Sequence, residues 1–124
     1  MYRGSLVVKP LADGSFWEVK ESFEFHTPQY INWILIPKGF LTDFASIPKA
    51  FWSIIGSPTS TKASIAAVCH DYLYHTQKGT REKADKAFLY LMEQDGVGFF
   101  KRYSMYYAVR VFGGSYWKGS DDDR

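Results

Sequence analysis

Apolar and polar residues alternate in the first third of the chain, as they do in half-buried β-strands. The alternation runs through residues 16–20 and 21–25, just after the turn-forming sequence Asp13-Gly14-Ser15. Residues 30–36 are mostly β-branched or aromatic, and they end at Pro37, which cannot donate a hydrogen bond to a neighbouring strand. We therefore predict a small antiparallel sheet in this part of the chain.

In the second half the apolar spacing changes to three and four residues, which is typical of one face of a helix. Gly79 is expected to end the first helix, Thr80 to cap the second, and Gly113-Gly114 to end the third. The helices are predicted over residues 62–75, 81–94 and 99–112. The pattern thus indicates an α+β fold with a small N-terminal antiparallel sheet and three C-terminal helices.

Residues 38–48 connect the two halves and follow neither period, so we predict an ordered loop there, followed by a short helical turn at residues 50–55. A chain of 124 residues, 46% of them hydrophobic, is long enough to bury one core. Because no linker or repeat divides it, we expect a single domain over residues 1–124.

Composition narrows the functional classes. The net charge is +2 and both signs are mixed along the chain, apart from Asp121-Asp122-Asp123, which we interpret as a solvated tail. No nucleic-acid-binding surface is therefore evident. Cys69 is the only cysteine, which excludes an internal disulfide and favours a reducing compartment. Since we find neither a signal-peptide core nor a transmembrane segment, we expect no export and no membrane anchor.

The densest group of reactive side chains is the sequence His-Asp-x-x-Tyr at residues 70–74. His70 and Tyr74 are four residues apart and share one face of the first helix, whereas Asp71 is turned by about 100° and can face a loop or a metal ion. Because the connection to the second helix is short, the two helices should be antiparallel neighbours. Asp85 on the second helix can then reach His70.

A carboxylate that binds one imidazole nitrogen fixes the tautomer and leaves the other nitrogen as a general base. The pattern therefore predicts a catalytic set of His70, Asp85 and Tyr74 that activates water or a hydroxyl group. An alternative stays open, in which His70 is a structural histidine and Asp85 forms a helix-surface ion pair with Arg81.

Two short segments carry a first resemblance, His70-Asp71-Tyr72-Leu73-Tyr74 and Ala84-Asp85-Lys86-Ala87-Phe88. They resemble the catalytic helices of the calcium-dependent secreted phospholipases of the A-two class, and more closely the compact version in parvovirus capsid proteins. The resemblance implies that His70 activates the attacking water, Asp71 binds calcium and Asp85 orients His70. It makes calcium the candidate cofactor and a phospholipid or other ester the candidate substrate.

A second resemblance extends over most of the chain. It is carried by Gly39-Phe40-x-Thr42-Asp43-Phe44-Ala45-Ser46-Ile47-Pro48, His70-Asp71-x-Leu73-Tyr74, Arg81-x-x-Ala84-Asp85, Arg110-x-x-Gly113 and Trp117. In this order the motifs resemble a phage and prophage family known as domain-of-unknown-function family 1353. The resemblance implies a phage or prophage origin. The expected location is then the cytoplasm of the bacterial host or the virion, with virion proteins as candidate partners.

The connecting loop supplies further candidates. Asp43 is a candidate metal ligand opposite Asp71, and Ser46 is a candidate hydrogen-bond donor to an oxyanion. The hydroxyl groups of Thr42 and Ser46 suit a tight turn equally well. Arg110 either pairs with an acidic residue of the site or lies at the surface near a helix end.

Two functional hypotheses follow. In the first, the chain is a small phospholipase-like hydrolase with a His70–Asp85 dyad. In the second, it is a non-enzymatic virion or tail-assembly protein in which His70, Asp71, Arg81 and Asp85 form a buried polar network. A solvent-reachable cleft over His70 would favour the enzyme, and complete burial of His70 would favour the network.

Overall fold

The computed structural model describes residues 2–12, 16–42 and 62–117. Several predicted features lie outside these residues, namely the turn at 13–15, the candidates Asp43 and Ser46, the helical turn at 50–55 and the acidic tail at 121–123. Within the described residues, the strands come first and the helices follow. The predicted α+β fold class is therefore confirmed.

Six short strands in the described residues form two three-stranded antiparallel sheets, of order β1-β4-β5 and β2-β3-β6. The strands are β1 Tyr2–Arg3, β2 Val8–Pro10, β3 Trp17–Val19, β4 Phe23–Thr27, β5 Ile31–Ile36 and β6 Leu41–Thr42. The single sheet that the alternation predicts is thus two sheets, because β3 pairs with β2 and β6 and not with β4. A two-residue period identifies a strand but does not choose its partner.

The sheet that contains β4 supplies the apolar surface on which the second helix packs. Phe23 and Phe25 are buried, while Glu24 between them is partly exposed, as expected for side chains that alternate between two faces. Phe23 lies opposite Ile36 of β5, so the buried face continues across the strand pair. The second helix packs on this pair of strands.

Helices occupy most of the described second half of the chain. They are α1 Ser64–Thr76, α2 Arg81–Gln94 and α3 Phe99–Phe112, and a 3-10 turn, Gly113–Tyr116, follows α3. The bounds of α2 and α3 are those predicted, and α1 begins and ends slightly later than predicted. Among the described residues, no helix combines the length and the apolar character that crossing a membrane requires.

The start of α2 is capped as predicted, but the end of α1 is not. The Thr80 hydroxyl accepts a hydrogen bond from the Lys83 backbone N–H at 3.1 Å, which confirms the predicted cap. The prediction that Gly79 ends α1 is wrong. Gln77 takes the left-handed conformation there, with φ 54°, and its N–H bonds to Leu73 O at 2.7 Å. Gly79, with φ 74°, instead forms the turn into α2.

The first two helices carry several small buried side chains. Ala66 and Ala67 on α1 and Ala84 and Ala87 on α2 are fully buried, and the two helices pack against each other. α3 also packs on α2. This arrangement brings the polar side chains of α1 and α2 together inside the core, next to the C-terminal end of α3.

Candidate functional site

The carboxylate of Asp85 lies at the junction of the three helices and receives hydrogen bonds from two of them. His70 Nε2 lies 2.6 Å from Oδ1 of Asp85, and the Tyr74 hydroxyl donates to the same oxygen at 2.7 Å. Arg110 Nη1 donates to Oδ2 at 2.7 Å. The side chains of His70 and Asp85 are both 0% exposed. We refer to His70, Tyr74, Arg81, Asp85 and Arg110 as the Asp85 cluster.

Arg81 completes the cluster from the first turn of α2. Its Nη1 lies 4.0 Å from Oδ2 of Asp85 and donates to the Tyr74 hydroxyl at 3.4 Å. The same guanidinium donates to two carbonyl groups near the C-terminal end of α3, Val109 O at 3.2 Å and Arg110 O at 2.8 Å. These carbonyls carry the negative end of the helix dipole, which favours a cation. Arg81 thus joins α2 to α3, and Asp85 is not part of a helix-surface ion pair.

Two four-residue spacings produce this geometry. His70 and Tyr74 project from the same face of α1, and Arg81 and Asp85 project from the same face of α2. Because the two helices pack side by side, the four side chains meet between them. Arg110, the last basic residue of α3, adds the third helix. The sequence predicted the contact between His70 and Asp85, and it left the position of Arg110 open.

The cluster fixes the charge of its central members. Burial by itself raises the pKa of the Asp85 carboxyl, but the hydrogen bond and charge of His70, with the bonds from Tyr74 and Arg110, outweigh it and hold that pKa below its ordinary value of 3.8. Burial, followed by the charge of Asp85, raises the pKa of the Tyr74 hydroxyl. Near neutral pH, Asp85 is therefore an ionised acceptor and Tyr74 a protonated donor.

The charge of Asp85 also decides the tautomer of His70. An ionised carboxylate can only accept hydrogen bonds, so the His70 nitrogen that contacts it, Nε2, must carry a proton. In a neutral imidazole the acceptor lone pair then lies on Nδ1. The rings of Tyr74 and Phe88 pack against the imidazole, with centroids 4.4 Å and 4.6 Å from it. His70 is thus held in one orientation with a defined basic nitrogen.

Gly113 and Trp117 support the cluster from the end of α3. A Cβ atom on Gly113 would lie 2.9 Å from the Tyr74 hydroxyl oxygen and 3.4 Å from Arg81 Nη1, so only glycine leaves room for that contact. The Trp117 ring meets the Tyr74 ring edge-on, with centroids 5.2 Å apart. Both residues lie in the motifs of the second resemblance, but no role was predicted for them. Their only signal is their position just after the helix that carries Arg110.

Asp71 faces a different part of the molecule from His70, its neighbour in sequence. The Thr42 hydroxyl of β6 donates to Oδ2 of Asp71 at 2.6 Å, and His75 Nε2 lies 3.7 Å from the same oxygen. Asp71 is buried, and its hydrogen bond with Thr42 links α1 to the second sheet. Thr42, predicted as part of the site, contacts Asp71 and not the Asp85 cluster through this bond.

Calcium was predicted at Asp71 and Asp43, and it takes about six to eight oxygen ligands. Within residues 2–12, 16–42 and 62–117, no three His, Cys, Asp or Glu side chains are grouped so that they could hold a metal ion. Asp71 already accepts the Thr42 hydrogen bond, and Asp43 lies outside the described residues. The described residues alone do not fit calcium.

The fold and the cluster define an α+β protein with a buried His–Asp pair on two antiparallel helices. The chain belongs to the family described as "Protein of unknown function (DUF1353)", whose model matches residues 17–109. The matched region includes His70, Tyr74, Arg81 and Asp85 and ends one residue before Arg110.

A similar protein is the uncharacterized protein y4jT of Sinorhizobium fredii (strain NBRC 101917 / NGR234), which is 38% identical over 97 residues. The alignment covers 78% of this chain and 29% of the relative, so the chain spans less than a third of the length of that protein. No solved structure matches the chain significantly.

Proposed function

We propose that the chain is a small hydrolase in which His70 is the general base and Asp85 orients it. The observation that carries the proposal is the double contact on Oδ1 of Asp85, from His70 Nε2 and from the Tyr74 hydroxyl. It gives His70 a fixed ring and a basic Nδ1, as a histidine base requires. The proposed substrate is a phospholipid or other ester, because the two helices resemble those of the A-two phospholipases.

In the proposed reaction, Nδ1 of His70 accepts a proton from a water molecule as the oxygen of that water attacks the ester carbonyl carbon. Asp85 stabilises the resulting imidazolium, while Tyr74 and Arg110 hold the carboxylate in place. When the tetrahedral intermediate breaks its bond to the leaving alkoxide, His70 returns the proton to that oxygen. Asp85 and Tyr74 are positioning residues that act through His70.

The composition of the cluster supports a functional role over a purely stabilising one. One carboxylate, two guanidinium groups and an imidazole meet within a small core. Replacing buried ionic groups with apolar ones is often neutral or stabilising, so such a cluster is a poor means of raising stability. Buried titratable groups with shifted pKa values are concentrated at functional sites.

The complete burial of His70 favours a second candidate, a non-enzymatic virion or tail-assembly protein. In that case the Asp85 cluster is a satisfied polar network that fixes how the three helices pack. Burial is the outcome expected for a network, since a general base needs a path for water. We place the hydrolase first because the cluster contains the orientation and the charge that a histidine base needs, which packing alone does not require.

The test is hydrolysis of phospholipid vesicles and of a soluble ester by the native protein, His70→Ala and the control His26→Ala. His26 stacks on Trp33 in the first sheet and does not belong to the cluster. We expect His70→Ala to lose at least about 100-fold in rate while remaining folded at the assay temperature, and His26→Ala to keep its rate. Full turnover by His70→Ala would overturn the assignment of the base. No turnover by the native protein would overturn the hydrolase and leave the network.

We also propose, on the motif resemblance, a phage or prophage origin, with the host cytoplasm or the virion as location and virion proteins as partners. Calcium binding by Asp71 and Asp43 stays a prediction. Mass spectrometry of purified virions and calorimetric titration with calcium test these two statements separately from the hydrolase.

A further inference from the structure

A small cleft lies between α2, α3 and the turn that joins β4 to β5. Its volume is about 180 Å³, which is room for roughly six water molecules. Sites for drug-sized ligands usually measure about 300–1,000 Å³, so this cleft suits a smaller molecule or a headgroup. It is lined by Tyr30, Lys86, Leu89, Tyr90, Glu93 and Tyr106. We call it the tyrosine cleft, and none of its residues belongs to the Asp85 cluster.

One stripe of α2 contributes four of these residues. Lys86, Leu89, Tyr90 and Glu93 follow one another at positions i, i+3, i+4 and i+7, which is the spacing of one helix face. None of the four is fully buried. Lys86 and Glu93 are about 10.5 Å apart along the helix axis, with the two apolar side chains between them. The cleft therefore has a cation towards one end and an anion towards the other.

Tyrosine supplies half of the lining. Tyr30 comes from the turn after β4, Tyr90 from α2 and Tyr106 from α3, so the three rings reach the cleft from three different elements. Aromatic rings attract a cation to their faces, and several rings around one space are the usual means of recognising a quaternary ammonium group. Such a group has no N–H to donate and needs no hydrogen-bond acceptor. Three tyrosines around a small cleft therefore favour a methylated ammonium over a primary one.

The charged groups beside the cleft form two neutral pairs. Lys86 Nζ lies 3.7 Å from a Glu82 carboxylate oxygen, and a Glu93 carboxylate oxygen lies 3.8 Å from Arg102. The side chains of Glu82 and Glu93 are 60% and 56% exposed, and exposed pairs of this kind are weak. Lys86 and Glu93 can therefore exchange these contacts for contacts with a ligand. Because the charges balance, the ligand that fits carries one charge of each sign.

We propose that the tyrosine cleft binds a zwitterion with a quaternary ammonium group, supplied by a phosphocholine headgroup or by a free betaine. The trimethylammonium group lies among the three tyrosines beside Glu93, and the phosphate or carboxylate group lies beside Lys86. The inference goes beyond the proposed hydrolysis and does not depend on it, since binding in the cleft requires neither His70 nor Asp85.

Calorimetric titration of the full chain with four small ligands tests the proposal. Phosphocholine and glycine betaine carry a trimethylammonium group, whereas phosphoethanolamine and glycine carry the same charges with a primary ammonium group. In at least one of the two pairs, we expect the methylated ligand to bind about tenfold more tightly than its counterpart. Preference for phosphocholine over betaine identifies a headgroup as the source, and the reverse preference identifies a free betaine.

Variants of the lining separate the rings from the charges. Tyr90→Leu removes one ring and should weaken binding of the methylated ligand about threefold to tenfold, whereas Tyr90→Phe keeps the ring and the affinity. The matched control is Tyr107→Leu, because Tyr107 is 59% exposed on α3 and does not line the cleft. Glu93→Gln should weaken binding severalfold. Arg102→Gln breaks the same ion pair but leaves the carboxylate, so it should not weaken binding.

The inference is overturned if neither methylated ligand binds, if the primary ammonium ligands bind as tightly, or if Tyr90→Leu binds like the native protein. Circular dichroism checks that each variant is folded. Should Tyr90→Leu unfold, the exposed pair decides, and equal binding by Glu93→Gln and Arg102→Gln would reject the proposal. Ester hydrolysis without binding of either methylated ligand would reject this inference alone, and binding without hydrolysis would reject only the hydrolase.

Discussion

Asp71 and Asp85 are both buried acidic residues of the first helix pair, yet their surroundings differ. Asp85 receives an imidazole, a phenol and a guanidinium from α1 and α3. Asp71 receives a hydroxyl from β6 and lies near a histidine one helical turn further along α1. His70 and Asp71 are adjacent in sequence, but the 100° rotation between them directs one to the helix junction and the other to the second sheet.

Under the proposed function the relevant carboxylate is that of Asp85, because it contacts the proposed base His70. Several hydrogen-bond partners keep Asp85 ionised, and its carboxylate contacts the buried ring of His70. Asp71 accepts a hydrogen bond from Thr42 of the second sheet and lies 3.7 Å from the exposed ring of His75. We therefore expect the two positions to respond very differently to the same change, the replacement of a carboxylate with an amide.

The largest effect is expected for Asp85→Asn. The change leaves the guanidiniums of Arg81 and Arg110 without their carboxylate in a buried position. Breaking a buried ion pair by removing one partner costs roughly 3–5 kcal/mol, so we expect a loss of that order in the free energy of unfolding. Urea denaturation of both proteins measures it. A loss below about 1 kcal/mol, the size of a surface pair, would contradict the buried geometry.

Gly113→Ala should give the next largest effect. The added Cβ would lie 2.9 Å from the Tyr74 hydroxyl oxygen, and such overpacking costs roughly 1–3 kcal/mol. Tyr74→Phe removes that hydroxyl, so the double variant should lose less stability than the sum of the two single changes. Gly114→Ala is the control, because its nearest described neighbours lie 3.9 Å away. Strict additivity would show that the hydroxyl is not where the structure places it.

Acid should lower the free energy of unfolding of the native protein more than that of Asp85→Asn. The pKa of Asp85 in the folded protein lies below its ordinary value of 3.8, so its stabilising contribution is fully present above that value and is lost as the pH falls further. The free energy of unfolding of the native protein should therefore drop below about pH 4. The drop should be smaller in Asp85→Asn. Parallel curves for the two proteins would contradict the lowered pKa.

Asp71→Asn should give the smallest effect of the four. The Thr42 hydroxyl can still donate to the amide oxygen, so the change in this hydrogen bond should cost about 1 kcal/mol of stability. Thermal unfolding, measured beside Asp85→Asn, tests the contrast between the two carboxylates. A loss as large as that of Asp85→Asn would show that Asp71 belongs to an equally critical network.

The sequence predicted the helices well because their signals are local. The four-residue spacing of His70 and Tyr74, and the short connection to α2, were enough to place Asp85 within reach of His70. The pairing of β3 with β2 and β6 was not predictable, because the alternation of three residues contains no information about a distant strand.

The contacts by which α3 supports the Asp85 cluster were also not predictable from the sequence. Arg81 binds carbonyl groups near the end of that helix, and Gly113 is needed because Tyr74 lies against it. Both facts depend on how α3 packs, which the apolar period does not specify. The cap at Thr80 was predictable, whereas the left-handed Gln77 was not, since glycine is the usual residue in that conformation.

The most direct test of the central claim, that Asp85 orients His70 for proton transfer, is the rate of hydrolysis of phospholipid vesicles by the native protein and by Asp85→Asn. Both proteins are compared at a temperature where each is shown to be folded. We expect turnover by the native protein and a rate at least about 100-fold lower for the variant, because the amide no longer stabilises the imidazolium. Equal rates, or no hydrolysis by the native protein, would contradict it.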